Sequence, residues 1–270
     1  MTTTEQVITP GILNKKDYFM FMELRTQENE IITYLMKELK AFIAGGFAVH
    51  CYRPENPFGD IDFYFPNVEA YEKAVEYVKK TVGYDPSENL PYIGTSVRAT
   101  TFRINSHIFQ LIKTTYGSVQ EVLDSFDFTN SKVAMTYEPG ENYCLSWHLD
   151  NEVTALLDTK KVKYRRQVNL MLDTEVLKRD HAKSNLDRLE KYLQRFPNGF
   201  YDVESREQLL QQYAWNLKYK YTASPLYLTS LSKILSNATQ DELIMFYPLG
   251  GAWKQAFETS GVSIAKEQPF

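Results

Sequence analysis

AGGFAVHCYRPENPFGDIDFYF, residues 44–65, decides how the rest of this chain is read. Apolar residues lead into Gly45-Gly46, a short apolar segment follows, and PENPFG makes a turn-rich loop. GDIDFYF then reads as a strand that stops at Pro66 and sets Asp60 and Asp62 at i and i+2. Side chains at that spacing point to the same side of a strand. Two carboxylates so placed repel unless a cation or a proton lies between them. A metal that must grip a triphosphate calls for this arrangement: magnesium takes oxygen ligands from one or two carboxylates, with phosphate oxygens completing the shell. A Gly-Gly turn opening a helix adds backbone N–H groups and room for phosphate to approach.

Outward from this stretch, the pattern alternates helix and strand. Ile31, Ile32, Leu35 and Leu39 recur at helical spacing within residues 25–40, and residues 41–44 read as a short strand. FAVHCY is expected to form a helix that ends before Pro54. NVEAYEKAVEYVKK is an amphipathic helix capped by Asn67. SVRATTFRI and HIFQLIKTT read as two strands joined at Asn105-Ser106, and residues 118–125 as a short helix. FDFTNSKVAMTY and ENYCLSWHL are expected to be strands on either side of Pro139-Gly140, and helical patterns dominate from about residue 149. The fold class expected is α/β (α+β): a mixed-sheet domain over 1–150, residues 1–24 being an extension, followed by a mainly helical domain over 151–270.

With 43% hydrophobic and 24% charged residues the chain has the composition of a globular protein, and 270 residues can bury a sizeable core. No apolar run reaches the roughly 20 residues that cross a bilayer. The opening MTTTEQVITPG has neither a basic nor an apolar leader region, and there are two cysteines, Cys51 and Cys144. A cytoplasmic protein with no membrane partner is expected. Net charge is −4, yet residues 160–196 hold eleven Lys and Arg against five Asp and Glu, a local basic zone on an acidic body. Such a zone suits a phosphate-bearing ligand or a solvated helix face. His50, His107, His148 and His181 form no zinc pattern, and GxxxxGK[ST], GxGxxG and GxSxG strings are absent.

Gly45-Gly46, thirteen intervening residues and Asp60-Ile61-Asp62-Phe63 resemble the signature of the DNA polymerase beta superfamily of nucleotidyltransferases. The resemblance implies a polymerase-beta-like catalytic domain in which Asp60 and Asp62 hold Mg²⁺ or Mn²⁺ and Gly45 and Gly46 contact the triphosphate of an NTP. A third carboxylate is usual on a later strand. Here Gln110 stands at the natural position within HIFQLI, and Asp127 is the other candidate. Either would complete the site, Gln110 as a neutral metal ligand or Asp127 as a third catalytic acid. Further on, Arg188, Lys191 and Arg195 fall at i, i+3 and i+7 with Tyr192 beside them, ahead of Pro197-Asn198-Gly199. This segment resembles the Arg-rich helix of CCA-adding enzymes and related RNA nucleotidyltransferases, which implies that the basic row grips the nucleotide and Tyr192 stacks on its base. Arg165, Arg166, Lys160, Lys161 and Lys163 extend the same basic zone.

The function expected is therefore transfer of NMP from an NTP, ATP among them, to an acceptor hydroxyl, with an RNA or tRNA 3′ end as the favoured acceptor and pyrophosphate released. The alternatives are a non-catalytic nucleotide- or RNA-binding module on the same fold, favoured by Gln110, and a transferase that modifies a protein or small molecule.

Overall fold

The computed structural model describes residues 26–83, 93–96, 98–105, 107–138, 144–165, 191–192, 194–206 and 208. The chain divides into two compact units, Met1–Asp158 and Thr159–Phe270. In the first, the element order is α1 (Thr26–Lys37), β1 (Phe42–Ala44), α2 (Gly46–Tyr52), β2 (Ile61–Phe65), α3 (Val68–Thr81), β3 (Ile93–Thr95), β4 (Ala99–Ile104), β5 (His107–Tyr116), α4 (Val119–Asp124), β6 (Ala134–Glu138), β7 (Cys144–His148) and α5 (Asn151–Thr159).

The strands make one mixed sheet in the order β3-β4-β5-β2-β1-β6-β7. β2 and β5 run parallel, while β1 pairs antiparallel with both β2 and β6. Alternation along β2 sets the two faces. Ile61, Phe63 and Phe65 are fully buried, whereas Asp62 and Tyr64 on the other face are half-buried. On the first face Phe63, Phe109 and Phe102 stack in series, with centroids 6.4 and 5.1 Å apart. Ile31 and Leu35 of α1 and Ala74 and Val78 of α3 are fully buried, and the two helices pack together. Each aromatic removed from water contributes about 1.5–3 kcal/mol before entropy is counted.

On the second face α4 covers part of the sheet. Val122 and Leu123 pack with Phe42, Ala44 and Ala134, and Tyr64, Val119 and Phe126 border the cluster. The helix is placed by a capping box: Ser118 accepts from the Glu121 N–H, and the Glu121 carboxylate accepts from the Ser118 N–H. Asn67 caps α3 as its position suggests, accepting from Ala70 N–H at 2.9 Å.

One local reading of the sequence is corrected. Residues 126–133 are not a strand; they form a bend and a 3₁₀ turn over Thr129–Ser131, and β6 begins only at Ala134. Hydroxyl side chains explain the difference, since Ser131 Oγ donates to Phe128 O at 2.8 Å and competes with a ladder. In addition, β3 pairs with β4 where no strand is evident from the sequence.

The second unit is described over short stretches, and most of the expected helical segment lies outside the described residues. Val162 bridges Phe200 in parallel, and Asn198 Nδ2 donates to Thr159 O. Arg165 forks onto Asp202 and also reaches Glu204 and Ser205. Among the described residues no helix is long and apolar enough to cross a membrane.

Candidate functional site

Gly45 ends β1 and caps α2 with φ 89° and ψ −143°, a conformation open to glycine alone. Its N–H donates to Val133 O at 3.0 Å and its carbonyl accepts from Val49 N–H at 2.9 Å. The N–H of Gly45 is thus engaged in the fold, a correction to the expectation that it faces phosphate. What Gly45 provides is space: a Cβ there would stand 3.8 Å from Asp62 Oδ2 and 3.8 Å from Phe126 Cε2. The carboxylate and the aromatic ring therefore flank the turn.

Asp62 lies in the ladder of β2 and its Oδ1 is buried. Its register partner on β5 is Gln110, and Gln110 in turn pairs with Thr101 on β4. Thr101, Gln110 and Asp62 therefore form one row across three strands, side chains on one face. The β1–β2 register continues that row to Ala44, which pairs with Ala134 on β6. On that side of Asp62 both alanines are fully buried beneath Val122 and Leu123 of α4. Asp60, half-buried, precedes β2 by one residue and continues the same alternation. Arg103 pairs with Ile108, so the row next to Gln110, on the Asp60 side, ends in an exposed guanidinium. The β4–β5 register thus sets Arg103 on the same face as Thr101 and Gln110.

Asp127 is buried, in the bend before the 3₁₀ turn rather than at the start of a strand. Among the described residues no three of His, Cys, Asp and Glu converge as a metal cage, so Asp127 does not join Asp60 and Asp62 in a trio. Thr129, Asn130 and Ser131 are buried with it, a polar turn that hydrophobic patterning does not reveal.

In the second unit, Arg188 lies outside the described residues. Lys191 is exposed, Arg195 is half-buried, and Tyr192 is buried with its ring stacked on Phe196 at 6.1 Å. This corrects the reading of Tyr192 as a base-stacking residue: spacing at i and i+4 joins the two rings in a core. Arg165 is corrected as well, because its guanidinium serves Asp202, Glu204 and Ser205. Lys163 Nζ lies 5.5 Å from the centroid of the exposed Tyr201.

The architecture is that of a nucleotidyltransferase-like α/β fold. It is similar to the Thermotoga maritima CCA-adding enzyme complexed with tRNA, with a TM-score of 0.52, 15% identity, and coverage of 91% of this chain and 54% of the enzyme. A CCA-adding enzyme in complex with ATP gives a TM-score of 0.50 at 16% identity, covering 86% of this chain and 53% of that one. The chain thus spans about half the length of these enzymes, and at such identities the likeness is one of fold. No curated protein sequence matches the chain. Residues 12–160 match the Gabija anti-defense 2 family, and the chain belongs to that family.

Proposed function

We propose that this protein transfers a nucleotidyl group from an NTP to an acceptor hydroxyl, and that this activity underlies the anti-defence role named by its family. The observation that carries the reading is the grouping of Asp62 beside Gly45 with Gln110 in register, on a sheet of nucleotidyltransferase-like fold.

The donor set fits Mg²⁺ or Mn²⁺. Every group is an oxygen donor, two carboxylates and an amide carbonyl, and no closed protein cage exists among the described residues. Magnesium is held in this manner, with phosphates filling the remaining positions. Asp60 and Asp62 would hold the ion and Gln110 would complete the set. When bound, it supplies positive charge against the triphosphate and the leaving pyrophosphate.

The chain's own residues do the rest. The missing Cβ of Gly45 lets phosphate approach Asp62, Gly46 opens α2 beside it, and Arg103 offers a cation on the same sheet face. The acceptor hydroxyl gives its proton to solvent and its oxygen forms its bond to the α-phosphorus as the bond to pyrophosphate breaks, and positioning with charge stabilisation contributes most of the catalysis. Arg188, Lys191 and Arg195 form a basic row in the sequence that suits phosphate. An RNA 3′ end is the acceptor we favour. Structural neighbours solved with tRNA and with ATP support the substrate classes, as does the basic zone at 160–196.

Gln110 favours a second reading, nucleotide capture without turnover. An amide beside Asp62 brings no charge and is a poor base. Incubation of the protein with α-phosphate-labelled NTPs, Mg²⁺ or Mn²⁺, and either total RNA or Gabija proteins decides between them. Label on either acceptor with wild type, lost in Asp60→Ala/Asp62→Ala, is the expected result. Metal-dependent NTP binding without label or pyrophosphate release would leave capture as the function, and absence of both would overturn the two readings together.

A further inference from the structure

Glu28 is in the first turn of α1 and only 1% exposed. A carboxylate in that position needs a partner, and its Oε1 lies 2.8 Å from His107 Nδ1. His107 opens β5 on the face of Phe109, and its ring lies parallel to Phe58 with centroids 6.3 Å apart. Phe58 also meets Phe47 edge-on at 4.8 Å and His50 at 4.7 Å. His50 Nδ1 is 2.7 Å from Asn56 O, and Asn56 N–H donates to Arg53 O at 3.0 Å. The connection from α2 to β2 is thus fastened at Asn56 and Phe58 by α1, α2 and β5 together.

That connection carries Asp60. Asp62 is fixed by the β2 ladder between Ile61 and Phe63, both fully buried, but Asp60 lies before the strand begins. Only Gly59, where an added Cβ would meet nothing within 4 Å, separates it from Phe58. The position of one carboxylate of the pair therefore depends on the anchor of Phe58. Burying the Glu28 carboxylate costs desolvation that an apolar contact of equal volume would avoid, so its contact with His107 is better explained by the geometry that it fixes.

We infer that Glu28, His107 and Phe58 are positioning residues that set the Asp60 carboxylate against Asp62. The inference rests on the reading of Asp60 and Asp62 as the metal-holding pair. Glu28 orients the His107 ring, the ring supports Phe58, and Phe58 fixes the backbone one residue before the Gly59–Asp60 link.

The test uses the full chain with Phe58→Leu, His107→Gln and Glu28→Gln, and with Phe58→Tyr as the conservative variant. Mn²⁺ affinity by calorimetry, kcat and KM for the NTP, and amide hydrogen exchange over residues 54–60 are measured. Leu and Gln variants are expected to bind Mn²⁺ about tenfold more weakly and to lose kcat about tenfold. KM for the NTP should stay within about twofold, exchange over 54–60 should rise while the β2 and β5 amides stay protected, and Phe58→Tyr should behave as wild type. Mn²⁺ affinity and 54–60 exchange at wild-type levels in Glu28→Gln and Phe58→Leu, with Asp60→Ala losing the metal, would overturn the inference alone. Equal Mn²⁺ binding by wild type and Asp60→Ala/Asp62→Ala would instead remove the metal-pair reading and this inference with it.

Discussion

Asp62 of β2 and Gln110 of β5 are register partners in a parallel strand pair, so a carboxylate and a neutral amide lie side by side on one sheet face. Replacing the amide by a third acid tests what that face does. Gln110→Glu puts like charges opposite each other, which costs roughly 1 kcal/mol in the metal-free protein. A cation bound between them offsets that cost. The variant should therefore melt below wild type in chelator, and gain more than wild type when Mg²⁺ or Mn²⁺ is added, because ligand binding to the folded state raises its stability. Thermal melts with and without metal read both effects. Equal metal responses in the two proteins would remove Gln110 from the site.

Gly45 is required by its backbone before any ligand is considered. At φ 89° an alanine is strained, and its Cβ would enter the space between Asp62 and Phe126. Gly45→Ala should lose roughly 1–3 kcal/mol of stability in denaturant unfolding. Gly59, with no left-handed φ and open space around its Cα, makes the control: Gly59→Ala should change stability by less than about 1 kcal/mol.

These two positions show what could be read from the chain and what could not. The i and i+2 aspartates were legible because strand alternation is a local rule, and β2 obeys it from Ile61 to Phe65. The Asn67 cap was legible for the same reason. Neither the partner strand of β2 nor the face of Arg103 is local; the first follows from the β2–β5 pairing and the second from the β4–β5 register. Phe128 through Ser131 looked like strand because aromatic and β-branched residues favour strands, yet local hydroxyl bonds turn the backbone there. Tyr192 looked like a ligand residue on an amphipathic helix, and a tyrosine four residues from a phenylalanine can equally close a core. The Glu28–His107 pair joins residues 79 apart in sequence, and no spacing rule announces it.

Phe109 is the middle ring of the Phe63–Phe109–Phe102 stack and is fully buried. Phe109→Ala removes contacts to both neighbours and leaves a cavity beside β2. A loss of about 3–5 kcal/mol is expected, while Phe109→Leu, which refills most of the volume, should cost clearly less. Urea unfolding of the three proteins gives the order. A Phe109→Ala cost below about 1 kcal/mol would mean that the stack is not the core that supports the Asp62 strand.

Asp202 provides the pH dependence of the second unit. The Arg165 guanidinium hydrogen-bonded to it, assisted by Ser205, holds its carboxyl far below the usual carboxylate range. A depressed folded-state value stabilises the folded form at every pH above the unfolded value near 3.9, and the contribution fades as pH falls through the folded value. Because both side chains are about 30% exposed, solvent screening keeps the effect modest and salt weakens it further. Asp202→Asn should therefore melt below wild type at pH 7, and the gap between the two should hold down to about pH 4 and narrow below it. A gap that stays constant from pH 7 to pH 2 would assign the loss to packing or to the Ser205 contact rather than to the charge on Asp202.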